Sequence, residues 1–321
     1  MSSYGGADDR RGDVRTLSGV AVLAVLAATV TGCGLDFGQH GETRAYDGPA
    51  GVDRLKVRSG DGKVEIVASD APGIKVREKL HWSNKNNKPQ ARHVTEGGTF
   101  SLSSRCARQV IGMNACRISY RIEVPRSIAV DVENSDGKIV VSGLAGAVRL
   151  RSGTGGITAS DLRATSLSLD ARDSAVRVSG RATTADLRTG TGAIIATGLT
   201  ADRLSARSND GRIQLSGRAT LAELRTGTGR IDAASLTADR VVARTNDGSI
   251  TLGLLTPPSA LQATTNTGDV HVRVPRGPAY AIDVKTGTGS KKIDPNLHHD
   301  STAKRHIKVS TGDGDAVVSP A

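Results

Sequence analysis

Two closely matching stretches of sequence decide the fold: SGRATTADLRTGTGAI at residues 179–194 and SGRATLAELRTGTGRI at residues 216–231. The segments that follow them also match, LTADRLSARSNDGRI at residues 199–213 and LTADRVVARTNDGSI at residues 236–250. Both pairs begin 37 residues apart. Self-similarity at a fixed period predicts a protein of stacked repeats, in which each repeat packs only against its neighbours.

A shorter period lies within the period of 37 residues. From residue 131 onward, each turn sequence, such as SNDGR at 208–212, is followed by an aliphatic residue that we call the anchor. The anchors lie 18 to 20 residues apart and are Ile139, Ile157, Val176, Ile194, Ile213, Ile231, Ile250 and Val270. Two interpretations are open, coils of 18–19 residues that come in pairs or one coil of about 37 residues. The anchor in every unit favours the shorter coil.

Apolar and polar residues alternate on both sides of each turn. Ala185 and Leu187 precede one turn, and Ile194 and Ala196 follow it. Because successive side chains of a strand point to opposite faces, these residues share one face, which we predict to be the interior. We therefore predict an all-β, single-stranded β-solenoid, a right-handed parallel β-helix, since parallel crossovers are right-handed. An antiparallel meander closed into a barrel or a sandwich is the alternative.

The composition agrees with a thin core of small side chains. The 321 residues include 38 Gly but only two Phe, one Trp and four Tyr. Aromatic residues supply much of the buried area of a conventional globular core, so an aromatic content of 2% argues against one. Hydrophobic residues make up 37% of the chain, which argues against a disordered protein.

The repeats divide the chain into regions. Residues 131–321 hold the regular units and form the predicted solenoid. Residues 51–130 have related but less regular strand patterns, and we predict an irregular β cap there that covers the open edge of the solenoid. Two cysteines, Cys106 and Cys116, lie in this region, and we predict a disulfide that braces the cap. A metal-binding pair and two free thiols are the alternatives.

The N-terminal residues have the features of an export signal. Basic residues precede an apolar run at residues 20–30, which is too short for a transmembrane helix and ends in a Val-Thr-Gly-Cys sequence that resembles a bacterial lipobox. We therefore predict a lipoprotein signal peptide at residues 1–32, lipidation of Cys33 and a tether at residues 33–50. The protein would then be lipid-anchored to the cell membrane and face the extracellular side. A cleaved signal with an incidental cysteine is the alternative.

The chain carries a net charge of +11, from 43 Lys and Arg against 32 Asp and Glu. One group of arginines precedes the turns, on the outward face of the predicted strands: Arg151, Arg188, Arg207, Arg225 and Arg244. Like charges at the spacing of stacked strands repel, so these arginines predict a site for anionic cell-wall polymers or anionic lipids. A solvated, solubilising face is the alternative. Nucleic acid is not predicted as a partner, because the chain has almost no aromatic residues on which bases could stack.

The sequence predicts no catalytic residues, no cofactor and no metal site. Four turn aspartates recur every 37 residues: Asp136, Asp173, Asp210 and Asp247. Aspartate in a turn ordinarily binds local backbone donors, and the sequence lacks the calcium-binding nonapeptide of β-rolls. His298 and His299 lie in a polar loop. A polysaccharide-active enzyme, the remote alternative, needs two carboxylates that face one cleft.

The repeated unit resembles that of the bacterial "putative adhesin" β-strand-repeat family, domains of unknown function on many exported lipoproteins. The resemblance rests on the unit S/T-x-D/T-G-x-I/V, as at 208–213 and 226–231, and on YRIEVP at 120–125; it covers roughly residues 50–318. It implies a β-solenoid exposed at the cell surface and supplies no catalytic residues. Together with the charge, it predicts a non-catalytic binding scaffold. The alternative is a structural or accessory envelope protein that self-assembles or spaces a protein partner from the membrane.

Overall fold

The computed structural model describes residues 40–83, 87–106 and 115–321. These ranges contain no α-helix, and their strands join one continuous sheet, so the predicted all-β class is confirmed. The strands are β1 (His40–Asp47), β2 (Arg54–Ser59), β3 (Val64–Ser69), β4 (Lys75–Trp82), β5 (Gln90–Glu96), β6 (Thr99–Arg105), β7 (Cys116–Pro125), β8 (Ala129–Asn134), β9 (Ile139–Ser142), β10 (Val148–Ser152), β11 (Ile157–Ala171), β12 (Val176–Thr189), β13 (Ile194–Ser208), β14 (Ile213–Arg225), β15 (Ile231–Arg244), β16 (Ile250–Leu254), β17 (Ala260–Thr264), β18 (Val270–Val274), β19 (Ala281–Thr288), β20 (Lys291–Ile293), β21 (His306–Asp313) and β22 (Ala316–Pro320).

The export signal predicted at residues 1–32 and the lipidation predicted at Cys33 lie outside the described residues. Within the described ranges, no helix has the length and apolar character that crossing a bilayer requires.

The strands stack as parallel coils of 18–19 residues. The anchors of successive coils are Cα partners in the ladder, in the order Ile157, Val176, Ile194, Ile213, Ile231 and Ile250. Each anchor therefore faces the anchor of the next coil, and one coil spans one short repeat. The solenoid and the shorter coil are confirmed. A 37-residue coil and an antiparallel meander are both wrong for this part of the chain.

The 37-residue period has a separate cause, one extra residue in every second coil. After the anchor Ile157, the paired positions Ala159 and Leu162 of β11 are three residues apart in the sequence. Their partners in β12, Val178 and Gly180, are only two residues apart. The extra residue forms a bulge at Asp161, which has a positive φ of 51°. A Cβ on Gly180 would lie 2.3 Å from the backbone nitrogen of Leu162, so leucine and glycine alternate at this corner.

Small aliphatic side chains fill the interior. The anchor Ile157 and the inward-facing Leu169 are fully buried. Along the ladder Leu167 faces Ala185, and Ala185 in turn faces Leu204. The second inward residue compensates, since Leu187 accompanies Ala185 in β12 and Ala206 accompanies Leu204 in β13, which keeps the volume of these layers nearly constant in a close-packed core.

Buried hydroxyl groups lie beside this apolar core at the corner where most turns begin, and Ala171 takes that position at the end of β11. The residues that carry these hydroxyl groups include Ser152, Thr189, Ser208, Thr226, Thr245, Thr265 and Thr311. Thr226 Oγ1 donates a hydrogen bond to the carbonyl of Gly211 at 2.9 Å and accepts one from the amide of Gly229 at 3.3 Å. Since buried backbone groups need hydrogen-bond partners, this contact explains the Ser or Thr at the start of the turns from Thr189 onward, whereas the buried Ser152 hydroxyl has no partner among the described residues.

The N-terminal end corrects the predicted division into a tether and a cap. β2 and β3, which we assigned to the cap, lie in parallel register with β8 and β9 on one side and with β6 and β7 on the other. This pairing makes β2 and β3 a coil of the solenoid. Their residues also alternate in burial as those of the later coils do. β1, inside the tether predicted at 33–50, pairs antiparallel with the edge of β4. Residues 40–47 are therefore a strand.

The remaining strands close this end of the molecule. β4 pairs antiparallel with β7, and β5 pairs antiparallel with β6. Cys106 and Cys116 form a disulfide that joins the residue after β6 to the first residue of β7, with Cα atoms 6.0 Å apart. The end thus consists of antiparallel strands laid on parallel coils.

The C-terminal end has an inserted coil as well. β21 and β22, the last strands of the chain, lie between β17–β18 and β19–β20. β19 and β20, which come first in the sequence, form the outermost coil. Residues 294–305 then connect them to β21 and β22, which form the coil beneath. β19 and β20 form the last rung of the sheet.

Candidate anion-binding surface

Four of the five predicted arginines form one continuous column on the outside of the coils. Arg188, Arg207, Arg225 and Arg244 are Cα partners in successive coils, and we call them the Arg188 column. Arg151 does not belong to it, because Asp170 lies between Arg151 and Arg188 in the ladder. The structure therefore brings four of the predicted residues together and leaves the fifth apart.

Acidic side chains from the adjacent column partly neutralise these arginines. Asp186 lies 2.6 Å from Arg188 and 3.5 Å from Arg207, and Glu223 lies 3.3 Å from Arg207 and 3.9 Å from Arg225. Two carboxylates thus serve three guanidinium groups. Ion pairs this exposed contribute little stability, but they lower the positive potential that an external anion would meet.

Arg151 lines a groove of mixed charge. The groove has a volume of about 600 Å³ and also contains Arg172, Asp136, Asp170 and Asp173. Within the described ranges, no carboxylate lies within ion-pair distance of Arg151. The acids around it nevertheless make this groove a poor match for a dense polyanion.

A second set of stacked arginines was missed by the sequence analysis. Arg163 and Arg181 are Cα partners in β11 and β12, and the ladder continues through Thr200 to Arg218. We call these three arginines the Arg163 column. They are exposed, and no carboxylate of the described residues forms an ion pair with any of them. The signal in the sequence was the recurring Arg-Ala pair at 163–164, 181–182 and 218–219.

The turn aspartates form a column of their own, in which aspartate and threonine alternate from coil to coil. Thr154 Oγ1 donates to Asp136 at 2.8 Å, and Thr228 Oγ1 donates to Asp210 at 3.3 Å. Because a threonine separates each aspartate from the next, successive carboxylates stand about 10 Å apart, too far to share one cation. The described residues hold no group of three or more His, Cys, Asp or Glu suited to a metal ion.

A cluster of titratable groups surrounds the buried Glu78 at the N-terminal end. Glu78 is fully buried; it accepts a hydrogen bond from the Tyr46 hydroxyl at 2.8 Å and lies 2.7 Å from His93 Nε2. Burial, followed by the Glu78 carboxylate, raises the pKa of Tyr46 well above its usual value. The hydroxyl of Tyr120, the Cα partner of Glu78, is also buried. These groups join β1, β4, β5 and β7 and have a structural role.

Several solved structures are similar to this chain. A "putative lipid binding protein" from Parabacteroides distasonis has 15% identity and a TM-score of 0.46, and covers 88% of this chain and 96% of its own. A "putative adhesin" from Parabacteroides merdae has 13% identity, a TM-score of 0.45 and the same two coverages. A "putative adhesin" from Bacteroides fragilis has 14% identity, a TM-score of 0.37 and coverages of 88% and 97%.

Comparison with curated proteins finds no match. The sequence profile of a protein family does match, over residues 52–220 and again over residues 182–319. These two matches together run from residue 52 to residue 319, so they span every described strand from β2 to β21 and most of β22, and they contain the S/T-x-D/T-G-x-I/V units. By this match the chain belongs to the DUF4097 family, described as Toastrack.

Proposed function

We propose that this protein is a non-catalytic scaffold at the cell surface that contacts anionic polymers or lipids of the cell envelope through its outward-facing arginines. The observation that carries the proposal is the stacking of arginines in register along the solenoid of a chain whose net charge is +11. Guanidinium groups repeated at the strand spacing of about 4.8 Å complement a repeated anionic charge.

The proposed lipid anchor at Cys33 would keep this surface close to the membrane. Only six residues, and so seven Cα–Cα steps, lie between Cys33 and His40, where β1 begins. A chain of that length spans at most about 25 Å, so the N-terminal end of the solenoid would lie near the headgroups. The arginines of the later coils would then face the surrounding envelope.

Binding across a salt series tests the proposal. Residues 34–321 contain every described strand and lack Cys33, so this fragment serves as the soluble protein. We expect it to bind purified cell wall or vesicles with anionic headgroups at low salt, and to be released at high salt as charges are screened. Vesicles with neutral headgroups are the control. No binding to either anionic material at low salt would contradict the proposal.

The open end of the sheet bears on the alternative of self-assembly. Self-assembly through strand pairing needs an edge that accepts another strand, and β19 and β20 form such an edge. They carry Lys285, Lys291 and Lys292, all exposed, and lysines on edge strands hinder pairing. We therefore expect the fragment to sediment as a monomer, and filaments in the absence of ligand would favour the structural role instead.

A further inference from the structure

We propose that the Arg163 column, with Arg163 and Arg181 as its centre, is the site that binds the phosphate groups of a linear phosphate-bearing polymer. This inference rests on the proposed function and specifies its site and ligand chemistry. It also moves the site away from the Arg188 column, on which the sequence analysis placed it.

The backbone holds the first two arginines of the column in a fixed arrangement. Leu162 and Ala164 are buried on either side of Arg163, so the Arg163 side chain points outward. Arg181 has the same position in the next coil, in parallel register with Arg163. Neighbouring strands lie about 4.8 Å apart, which sets the separation of the two side-chain origins. Both guanidinium groups can therefore reach one anion.

The charges around the column leave it unneutralised. In the described part of the chain, neither Arg163 nor Arg181 has a carboxylate within ion-pair distance. Asp161 and Asp202, the acids within two residues of this ladder in the sequence, form no ion pair among the described residues either. Like charges directly opposite each other on neighbouring strands repel, and an anion between them relieves that repulsion. In the Arg188 column, Asp186 and Glu223 supply this relief to three of the four arginines, whereas none of the described carboxylates supplies it to the Arg163 column.

The side chains and their spacing favour phosphate on a linear chain. The planar guanidinium group makes paired hydrogen bonds to phosphate oxygens, which a lysine cannot do. Thr200 lies between Arg181 and Arg218 in the ladder and adds a hydroxyl donor. The column runs along the solenoid axis, perpendicular to the strands, with Arg218 about 10 Å beyond Arg181. A narrow line of donors fits an extended polymer better than a flat membrane surface.

Two matched double variants test the assignment. Arg163→Gln with Arg181→Gln removes two charges from the proposed site, and Arg207→Gln with Arg225→Gln removes two charges from the Arg188 column. Both variants are made in residues 34–321, and circular dichroism checks that each one folds. The probe is inorganic polyphosphate of defined length, and vesicles with anionic headgroups form the second arm.

We expect the first variant to bind polyphosphate at least about tenfold more weakly than the parent protein, because charge-assisted hydrogen bonds are lost. The second variant should change the affinity by less than about threefold, since its arginines already have carboxylate partners. Equal losses in the two variants, or no loss in the first, would overturn the assignment. A loss by the first variant on vesicles alone would also overturn it, in favour of a lipid site.

The failure of this inference can be told from the failure of the proposed function. A parent protein that binds cell wall or anionic vesicles in a salt-dependent manner, but not polyphosphate, overturns the Arg163 column as a phosphate-polymer site and leaves the scaffold function standing. A parent protein that binds none of these materials overturns both.

Discussion

The regular coils at residues 157–254 and the N-terminal end at residues 40–125 close their interiors in different ways. Each coil packs on the next one in register, with aliphatic side chains inside and, in every coil from β12 to β15, one buried hydroxyl at the corner. The N-terminal end lays antiparallel strands on parallel ones and buries Glu78, Phe100 and Tyr120. The coils thus depend on one local geometry repeated many times, and the end depends on contacts made once.

The two regions should therefore respond differently to substitution. A substitution that is incompatible with the coil geometry forces one turn away from the turn beneath it. Because each coil is stabilised by its neighbours, the coils stacked on that turn are destabilised as well. A change in the N-terminal cluster removes one set of contacts and leaves the stacked coils intact. Single substitutions in each region separate these responses.

Gly211→Ala should have the largest effect. The new Cβ would lie 1.7 Å from the carbonyl oxygen of Gly192, so the two turns would have to separate. We expect the free energy of unfolding in urea to fall by about 3 kcal/mol or more. Gly60→Ala is the control, because nothing lies within 4 Å of a Cβ there, and it should leave stability nearly unchanged. Equal effects of the two substitutions would show that close stacking of the turns is not what requires glycine.

Glu78→Ala should destabilise the N-terminal end in particular. The change removes the Glu78 acceptor of the half-buried Tyr46 hydroxyl and leaves a cavity, for a loss of about 2 to 3 kcal/mol. Hydrogen exchange should show faster exchange in β1 and β5 and unchanged protection in β13 and β14. Glu78→Gln retains an acceptor for Tyr46 and should lose less. Faster exchange throughout the coils would mean that the two regions are not independent.

Thr226→Val should cost about 1 to 2 kcal/mol in urea unfolding. Valine has nearly the shape of threonine, but it can bind neither the carbonyl of Gly211 nor the amide of Gly229. Thr226→Ser keeps the hydroxyl that Ser208 supplies at the same position one coil earlier, and should be close to the parent protein. If valine were as stable as serine, the corner hydroxyl would not explain the turn motif.

Asp61→Asn should have the smallest effect, and it should be stabilising at neutral pH. Burial, then a hydrogen bond with Asp136 and its charge, raises the pKa of Asp61 above 3.8. Because the folded protein holds this proton more tightly than the unfolded chain, the contribution of Asp61 to stability is lost as the pH rises through the raised pKa. The thermal midpoint of Asp61→Asn should therefore exceed that of the parent protein at pH 7 and approach it near pH 3.

An aspartate-to-asparagine change within the regular coils should shift the thermal midpoint at pH 7 in the opposite direction. Asp210→Asn weakens the acceptor for the Thr228 hydroxyl and relieves no repulsion, so it should lower the thermal midpoint at pH 7. A rise for both variants would point to net charge, and not to the Asp61–Asp136 contact.

The sequence was sufficient to predict the structural features that recur in every coil. The spacing of the anchors predicted the coil length, and the alternation of apolar and polar residues around them predicted the buried face. Both predictions were possible because coils with the same local geometry have the same pattern of residues in the sequence. β1 was missed because HGETRAYD has little apolar alternation, and its partner β4 lies in a distant part of the sequence. The site was only partly predictable. Asp186 and Glu223 precede Arg188 and Arg225 by two residues in the sequence, but their ion pairs with Arg207 depend on the register between coils.

Removal of one pair of coils tests most directly whether the stacked coil is the unit of this fold. Deletion of residues 194–230 joins a coil that has Gly180 at its corner to one that has Leu236 there, and it preserves the alternation of aspartate and threonine in the turns. Deletion of residues 194–212 alone would break both alternations. We predict that the first protein folds cooperatively and that small-angle scattering shows it about 10 Å shorter than the parent protein. The account would be contradicted if the protein that lacks residues 194–230 were unfolded or were no shorter than the parent protein. It would also be contradicted if the protein that lacks residues 194–212 were equally stable.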